Sequence, residues 1–200
     1  MKKQPIIAYV LLAWWIILSI WSYIGAFDTT VWRAEMIPVV CVVALIVFLW
    51  YRTPFSSLSY IFMGIFIYLH TVGAHYTFER VPFDRFTDFF GFERNHFDRI
   101  AHFSVGFYAY AIIEYCNKNN LTKSTSVSVF VAIATIFAVA WIYEIIEWLF
   151  AISNDPDAGT AFLGSQWDIR DAQKDMLADG LWAISSSIVY LILPHKKNWV

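Results

Sequence analysis

Six long apolar runs alternate with short polar connectors along this chain, and each is close to the length a helix needs to cross a bilayer. A hydrocarbon core of about 30 Å takes roughly 20 helical residues. The runs cover 6–26, 34–50, 58–75, 98–116, 127–150 and 175–193. None shows the strict alternation of apolar and polar positions that marks barrel strands. The pattern predicts an all-α polytopic membrane helix bundle with six transmembrane helices. With no internal repeat and no long soluble insertion, a single integral membrane domain over 1–200 is expected.

Composition agrees with that reading. The chain is 59% hydrophobic and only 15% charged, more apolar surface than a 200-residue globule can bury. Aromatic residues such as Trp21, Trp32, Trp50, Tyr51, Trp148 and Trp167 stand at the ends of apolar runs, where amphipathic rings favour the headgroup layer. A net charge of −2 without a basic face gives no sign of a nucleic-acid partner and leaves the lipid bilayer as the evident one. No oligomeric state follows from the pattern. Cys41 and Cys116 lack metal or redox spacing and are read as packing residues. The first run is longer than a signal-peptide core and has no small-x-small cleavage site, so it reads as an uncleaved span.

Lysine and arginine divide evenly between the two sides. Lys2, Lys3, Arg52, Lys118, Lys123, Lys196 and Lys197 face Arg33, Arg80, Arg85, Arg94, Arg99, Arg170 and Lys174. The first span, which often dominates orientation, begins with two lysines, and the opposite arginines have carboxylates near them in sequence. Both termini are therefore placed in the cytoplasm. Of the 16 acids only Glu114 then lies near the cytoplasmic end, where Lys118 four residues on offers a helical pair.

Two connectors carry further signals. Residues 77–95 alternate phenylalanine with charge, which suits a segment lying in the outer interface. Ser165 followed by Asp168 resembles a capping box and places the start of the last helix near Gln166.

Chemistry concentrates under the outer face. Asp98 and His102 are about 40° apart on a helix and share a side. Glu144 and Glu147 are about 60° apart at the outer end of the fifth run, and Asp168, Asp171, Asp175 and Asp179 fall within an arc of about 80° on the sixth. His70 and His75 end the third run at that level, and His96 just precedes the fourth. Charged groups at the bilayer centre cost about 2.5–3.5 kcal/mol each on insertion scales, so a cation, protons or the inward folding of Arg99, Arg170 and Lys174 must neutralise them.

Three readings follow. In the first, a divalent metal (zinc, manganese, iron or magnesium) sits among His102, Asp171, Asp175, Asp179, His70, His75 and His96, with Glu144, Glu147 and Asp98 as catalytic carboxylates. The protein would then be a metal-dependent hydrolase or transferase acting on a lipid-linked substrate or envelope precursor. In the second it is a proton- or cation-coupled transporter, and in the third a structural or partner-binding membrane module. Neither H-E-x-x-H nor a phosphate-binding loop is present. Ser185, Ser186 and Ser187 read as packing residues, and His195 as facing headgroups.

The segments HTVGAHYTFERVP, RNHFDRIAHFSVGF, YEIIEW and FLGSQWDIRDAQKDMLADG, in that order, resemble the YjdF family of bacterial inner-membrane proteins. That resemblance implies an inner-membrane location and this topology, with no established activity. A more distant similarity is to VanZ-like membrane proteins, carried here by Asp98-Arg99-Ile100-Ala101-His102-Phe103, Glu144 to Glu147, and Asp171 to Asp179 ahead of Gly180. Arginine stands in place of that pattern's lysine, and acids replace its glutamine and asparagine, so this cluster is the more anionic one.

Overall fold

The computed structural model describes residues 4–163 and 165–193, which are helical wherever they are regular. His195, Lys196 and Lys197, like Lys2 and Lys3, lie outside the described residues. The chain runs α1 (Ile6–Tyr23), α2 (Thr29–Trp50), α3 (Ser57–Tyr76), α4 (Asp84–Phe90), α5 (Phe97–Val105), α6 (Tyr108–Lys118), α7 (Thr125–Ser153), α8 (Pro156–Leu163) and α9 (Asp171–Ile192). Five of these, α1, α2, α3, α7 and α9, are long and apolar enough to cross a membrane. Where the fourth span is expected, α5 and α6 follow one another.

The helix starts have identifiable causes. Asp28 accepts hydrogen bonds from the amides of Thr30 and Val31, Ser56 from Ser59, and Ser124 from Val127, each meeting donors that a first turn leaves unpaired. Asp28 thus starts α2 five residues before the apolar run begins. The last helix behaves in the opposite way. Gln166 and Trp167 take positive φ of 47° and 70°, and an Asx turn at Asp168 follows, so α9 starts at Asp171 and not near Gln166.

α3 is the central element: it packs against α1, α2, α5 and α6, while α9 packs against α5, α6 and α7. Between α5 and α6 the backbone stays right-handed through Gly106 and tightens into bonds three residues long. Gly106 lies so close to α9 that a Cβ there would sit 2.5 Å from the Ala183 amide nitrogen and 2.6 Å from the Asp179 carbonyl oxygen. Ser186 donates to the Gly106 carbonyl at 2.8 Å, tying the two helices at that point. At the end of α3, Thr77 and Phe78 turn back in left-handed conformation and lay the Phe78 ring over Gly73, where any Cβ would clash.

Glu114 is buried and does more than pair with Lys118. It also accepts from the Ser56 amide and from the Ser56 and Ser59 hydroxyls, so one carboxylate fastens the start of α3 to α6. Cys41 and Cys116 carry no disulfide. Ser185, Ser186 and Ser187 spend their hydroxyls on main-chain carbonyls. In the 77–95 connector, α4 leaves Phe89 81% exposed, with Phe90 and Phe92 also exposed beside it.

Candidate metal centre at the polar end of an apolar cavity

Local helix geometry sets the first pair. One turn apart on α5, Asp98 and His102 are both buried, with His102 Nε2 3.8 Å from Asp98 Oδ1. The other ring nitrogen, Nδ1, is 3.3 Å from Asp179 Oδ2 on α9. The close approach that Gly106 permits is what brings α9 to this distance. Asp175, one turn before Asp179, completes a group in which Asp98, His102 and Asp175 each offer a ligand atom within 4.8 Å of the others.

Arginines from the outer end brace the acids of α9. Arg99 reaches Asp171 Oδ1 at 2.5 Å and brings its Nε to 2.6 Å from Asp175 Oδ1. The second contact lacks the alignment of a hydrogen bond and is electrostatic. Arg94 donates to Asp171 at 2.7 Å and to the Ser165 carbonyl. Lys174 turns outward to Asp168, and Arg170 is exposed, so of the three cations expected to fold inward only Arg99 does; Arg94 is the second. In this outer loop, hydrogen bonding to the Lys174 ammonium holds the Asp168 carboxyl below the usual range. Burial, with Arg94 and Arg99 nearby, lowers the imidazole of His96.

The remaining carboxylates have no such brace. Among the described residues, no lysine or arginine lies within 4 Å of the carboxylates of Glu35, Asp98, Glu144, Glu147 or Asp179. Asp179 is 1% exposed and its Oδ1 has no hydrogen-bond partner; Glu144 Oε1 is likewise buried and unpartnered. Glu144 and Glu147 both lie within electrostatic reach of His102 and Asp98. Buried charge of one sign needs a proton or a cation.

A second polar group adjoins the first. Glu35, 1% exposed on α2, accepts a 2.6 Å hydrogen bond from the Tyr143 hydroxyl of α7, and the same oxygen is 2.9 Å from His70 Nε2 on α3. Tyr143 stands between the imidazoles of His70 and His102, with ring centres 6.0 and 6.3 Å away. Neither Glu35 nor Tyr143 is among the site residues that the sequence pattern singles out. The signal that could have found Glu35 is Asp28: as a helix cap it puts Glu35 two turns inside α2.

His75 and His96 stand apart from both groups. The Nδ1 of His75 is 2.9 Å from the Ser22 carbonyl and its ring stacks on Trp21 of α1, whereas His96 packs on Phe92 in the outer loop.

The two polar groups meet one end of a cavity of about 350 Å³. Glu35, His70, Asp98, His102, Glu147 and Asp179 line the polar end, and the remainder is apolar, descending past Met63, Tyr108 and Ile136 to Leu49, Phe55 and Tyr115. Phe162 of α8 lines the cavity as well.

Residues 7–196 match the model of a family described as "Predicted membrane protein (DUF2238)". The chain belongs to that family. A curated relative is "Inner membrane protein YjdF" of Escherichia coli (strain K12), 28% identical over 184 residues, which are 91% of this chain and 87% of the relative. The resemblance to the YjdF family is thereby borne out. No solved structure matches the chain.

Proposed function

We propose that this protein is a metal-dependent hydrolase or transferase acting on a lipid or envelope precursor at the outer face of the bacterial inner membrane. The relative's printed name supports that membrane, and the first-span lysines support cytoplasmic termini. In this reading α5 and α6 together make a sixth crossing, within one integral membrane domain.

One observation carries the reading: Asp98, His102 and Asp175 each offer a ligand atom within 4.8 Å of the others, with a fourth carboxylate behind the imidazole. Ligand atoms about 2.1 Å from a shared ion stand about 3.4 Å apart in a tetrahedron. The 3.8 Å between His102 Nε2 and Asp98 Oδ1 is close to that spacing. Asp179 at Nδ1 matches the carboxylate that customarily fixes the tautomer and orientation of a metal-binding histidine. Two carboxylates with one imidazole suit zinc, manganese or iron better than the oxygen-rich shell magnesium prefers. A bound divalent ion would supply Lewis-acid polarisation and ease the deprotonation of water.

The residues around it have separable tasks. Arg99 holds Asp175 by one oxygen. Glu147, on the cavity wall without a cationic partner, takes the proton as water adds to an acyl or phosphoryl centre. It returns that proton to the departing alkoxide as the ester bond breaks. The apolar remainder of the cavity keeps bulk water away from the reaction.

The unbraced acids also favour a second reading, in which Glu144 and Glu147 load and release protons in a coupled carrier. Metal content separates the two. Protein purified without chelator should carry about one zinc, manganese or iron per chain and lose it in Asp98→Asn and His102→Ala. Protein without stoichiometric metal, together with proton flux in liposomes that Glu147→Gln abolishes, would replace the first reading with the second.

A further inference from the structure

The polar cluster occupies only one end of the cavity, and its apolar length is far more than an ester or phosphate group needs. Along α2 the lining runs from Glu35 to Leu49, fourteen steps of 1.5 Å or about 21 Å; along α7 it runs from Thr135 to Glu147, about 18 Å. One leaflet is about half of a 30 Å core, roughly 15 Å. The cavity is therefore as long as a chain in one leaflet. Its volume sits near the lower end of the ligand-pocket range of about 300–1,000 Å³, room for one slender chain and not for two. An engineered apolar cavity of less than half that size stays dry and takes up hydrocarbon.

The slot also has a side entrance. Leu45 of α2 and Thr135 and Val139 of α7 line the cavity and are exposed, on helices whose outer faces carry Ile37, Val40, Phe48, Trp141 and Ile142. Those faces meet lipid in a membrane, so bilayer chains lie directly against the gap between α2 and α7. Buried Ala111 and Ala140 keep the interior clear of bulky side chains.

We infer that the slot between α2 and α7 holds one acyl chain of a bilayer lipid, entering sideways from the membrane, with that lipid's ester or phosphate head at the Asp98–His102–Asp175 group. The assignment of the head rests on the proposed metal chemistry; the binding of the chain stands on the cavity alone. An amphiphile matches the site end to end: charge and hydrogen-bonding groups at the outer end, hydrocarbon walls below.

The test is carbene labelling in nanodiscs of phosphatidylethanolamine doped with phosphatidylcholine carrying a diazirine at the acyl terminus. Met63 and Ile136 are buried and line the cavity. Adducts on these two residues are expected, and Val139→Trp, placed at the exposed rim where it need not disturb the core, should lower them at least tenfold while adducts on Ile37 and Val40 persist. Ala140→Trp should do the same from inside, with the melting temperature confirming that it folds. Adducts confined to Ile37, Val40 and similar outward residues, or interior adducts indifferent to both tryptophans, would overturn the inference. So would interior labelling by a diazirine-bearing polyprenyl phosphate and not by the acyl probe. Labelling that persists in protein devoid of metal would keep the chain site and remove the hydrolase, whereas stoichiometric metal without interior labelling would do the reverse.

Discussion

Gly106→Ala offers a sharp test of how the site is assembled. The added methyl would lie 2.5 Å from the Ala183 nitrogen and 2.6 Å from both the Asp179 carbonyl oxygen and the Trp182 Cβ. Carbon atoms pack at about 3.5–4.0 Å, so relief needs a separation of about 1 Å between α9 and the α5–α6 turn. Two of the three obstacles are main-chain atoms, which cannot swing aside, and overpacking of this kind costs about 1–3 kcal/mol. The same displacement would carry Asp179 Oδ2 from 3.3 Å to beyond hydrogen-bond reach of His102 and break the Ser186 bond to Gly106. We expect a fall in melting temperature in detergent together with a loss of metal affinity of at least tenfold. Ser185→Ala, which removes only a bond within one turn of α9, should change neither. If Gly106→Ala melts like the wild type and binds metal as tightly, the close approach of α9 does not build the site.

Three further outcomes follow from the same structure. Glu114→Ala strips Lys118 and the start of α3 of a buried partner and should cost about 3–5 kcal/mol in reversible unfolding, against well under 1 kcal/mol for an exposed ion pair. Tyr143→Phe leaves buried Glu35 without its 2.6 Å donor and should cost about 1–3 kcal/mol, with bound metal retained because Tyr143 is not a ligand. The lowered pKa of Asp168 means that its carboxylate contributes stability above its unfolded pKa of about 3.9, lost as pH falls through the still lower folded value. Melting temperature should therefore be insensitive to Asp168 protonation above about pH 5 and fall below pH 4, with Asp168→Asn flattening that acid-side slope.

Much of this was legible because helical periodicity transmits directly to side-chain placement. The spacing of Asp98 and His102 fixes their common side whatever surrounds them, and the arc of Asp171, Asp175 and Asp179 fixes the opposing stripe. Depth was legible from apolar run length, but azimuth between helices was not: His75 shares a level with His70 yet is five residues on, about 140° around the helix, and faces α1. Glu35 and Tyr143 meet across 108 positions of sequence, a contact no local pattern encodes. Arg94 replaced Arg170 as the second inward cation because the 165–170 loop turns through two left-handed residues, a conformation that the capping-box pattern at Ser165 and Asp168 did not announce. The fourth span was expected as one run, and the tightened turn at Gly106 is the local cost of bringing α9 within reach of His102.

The most direct test of the central claim is X-ray absorption at the edge of the metal that purifies with the protein. Asp98, His102 and Asp175 predict a shell of nitrogen and oxygen near 2.0–2.2 Å with the outer scattering of a single imidazole, lost in His102→Ala. A spectrum without imidazole, or one that His102→Ala leaves unchanged, would contradict the assignment.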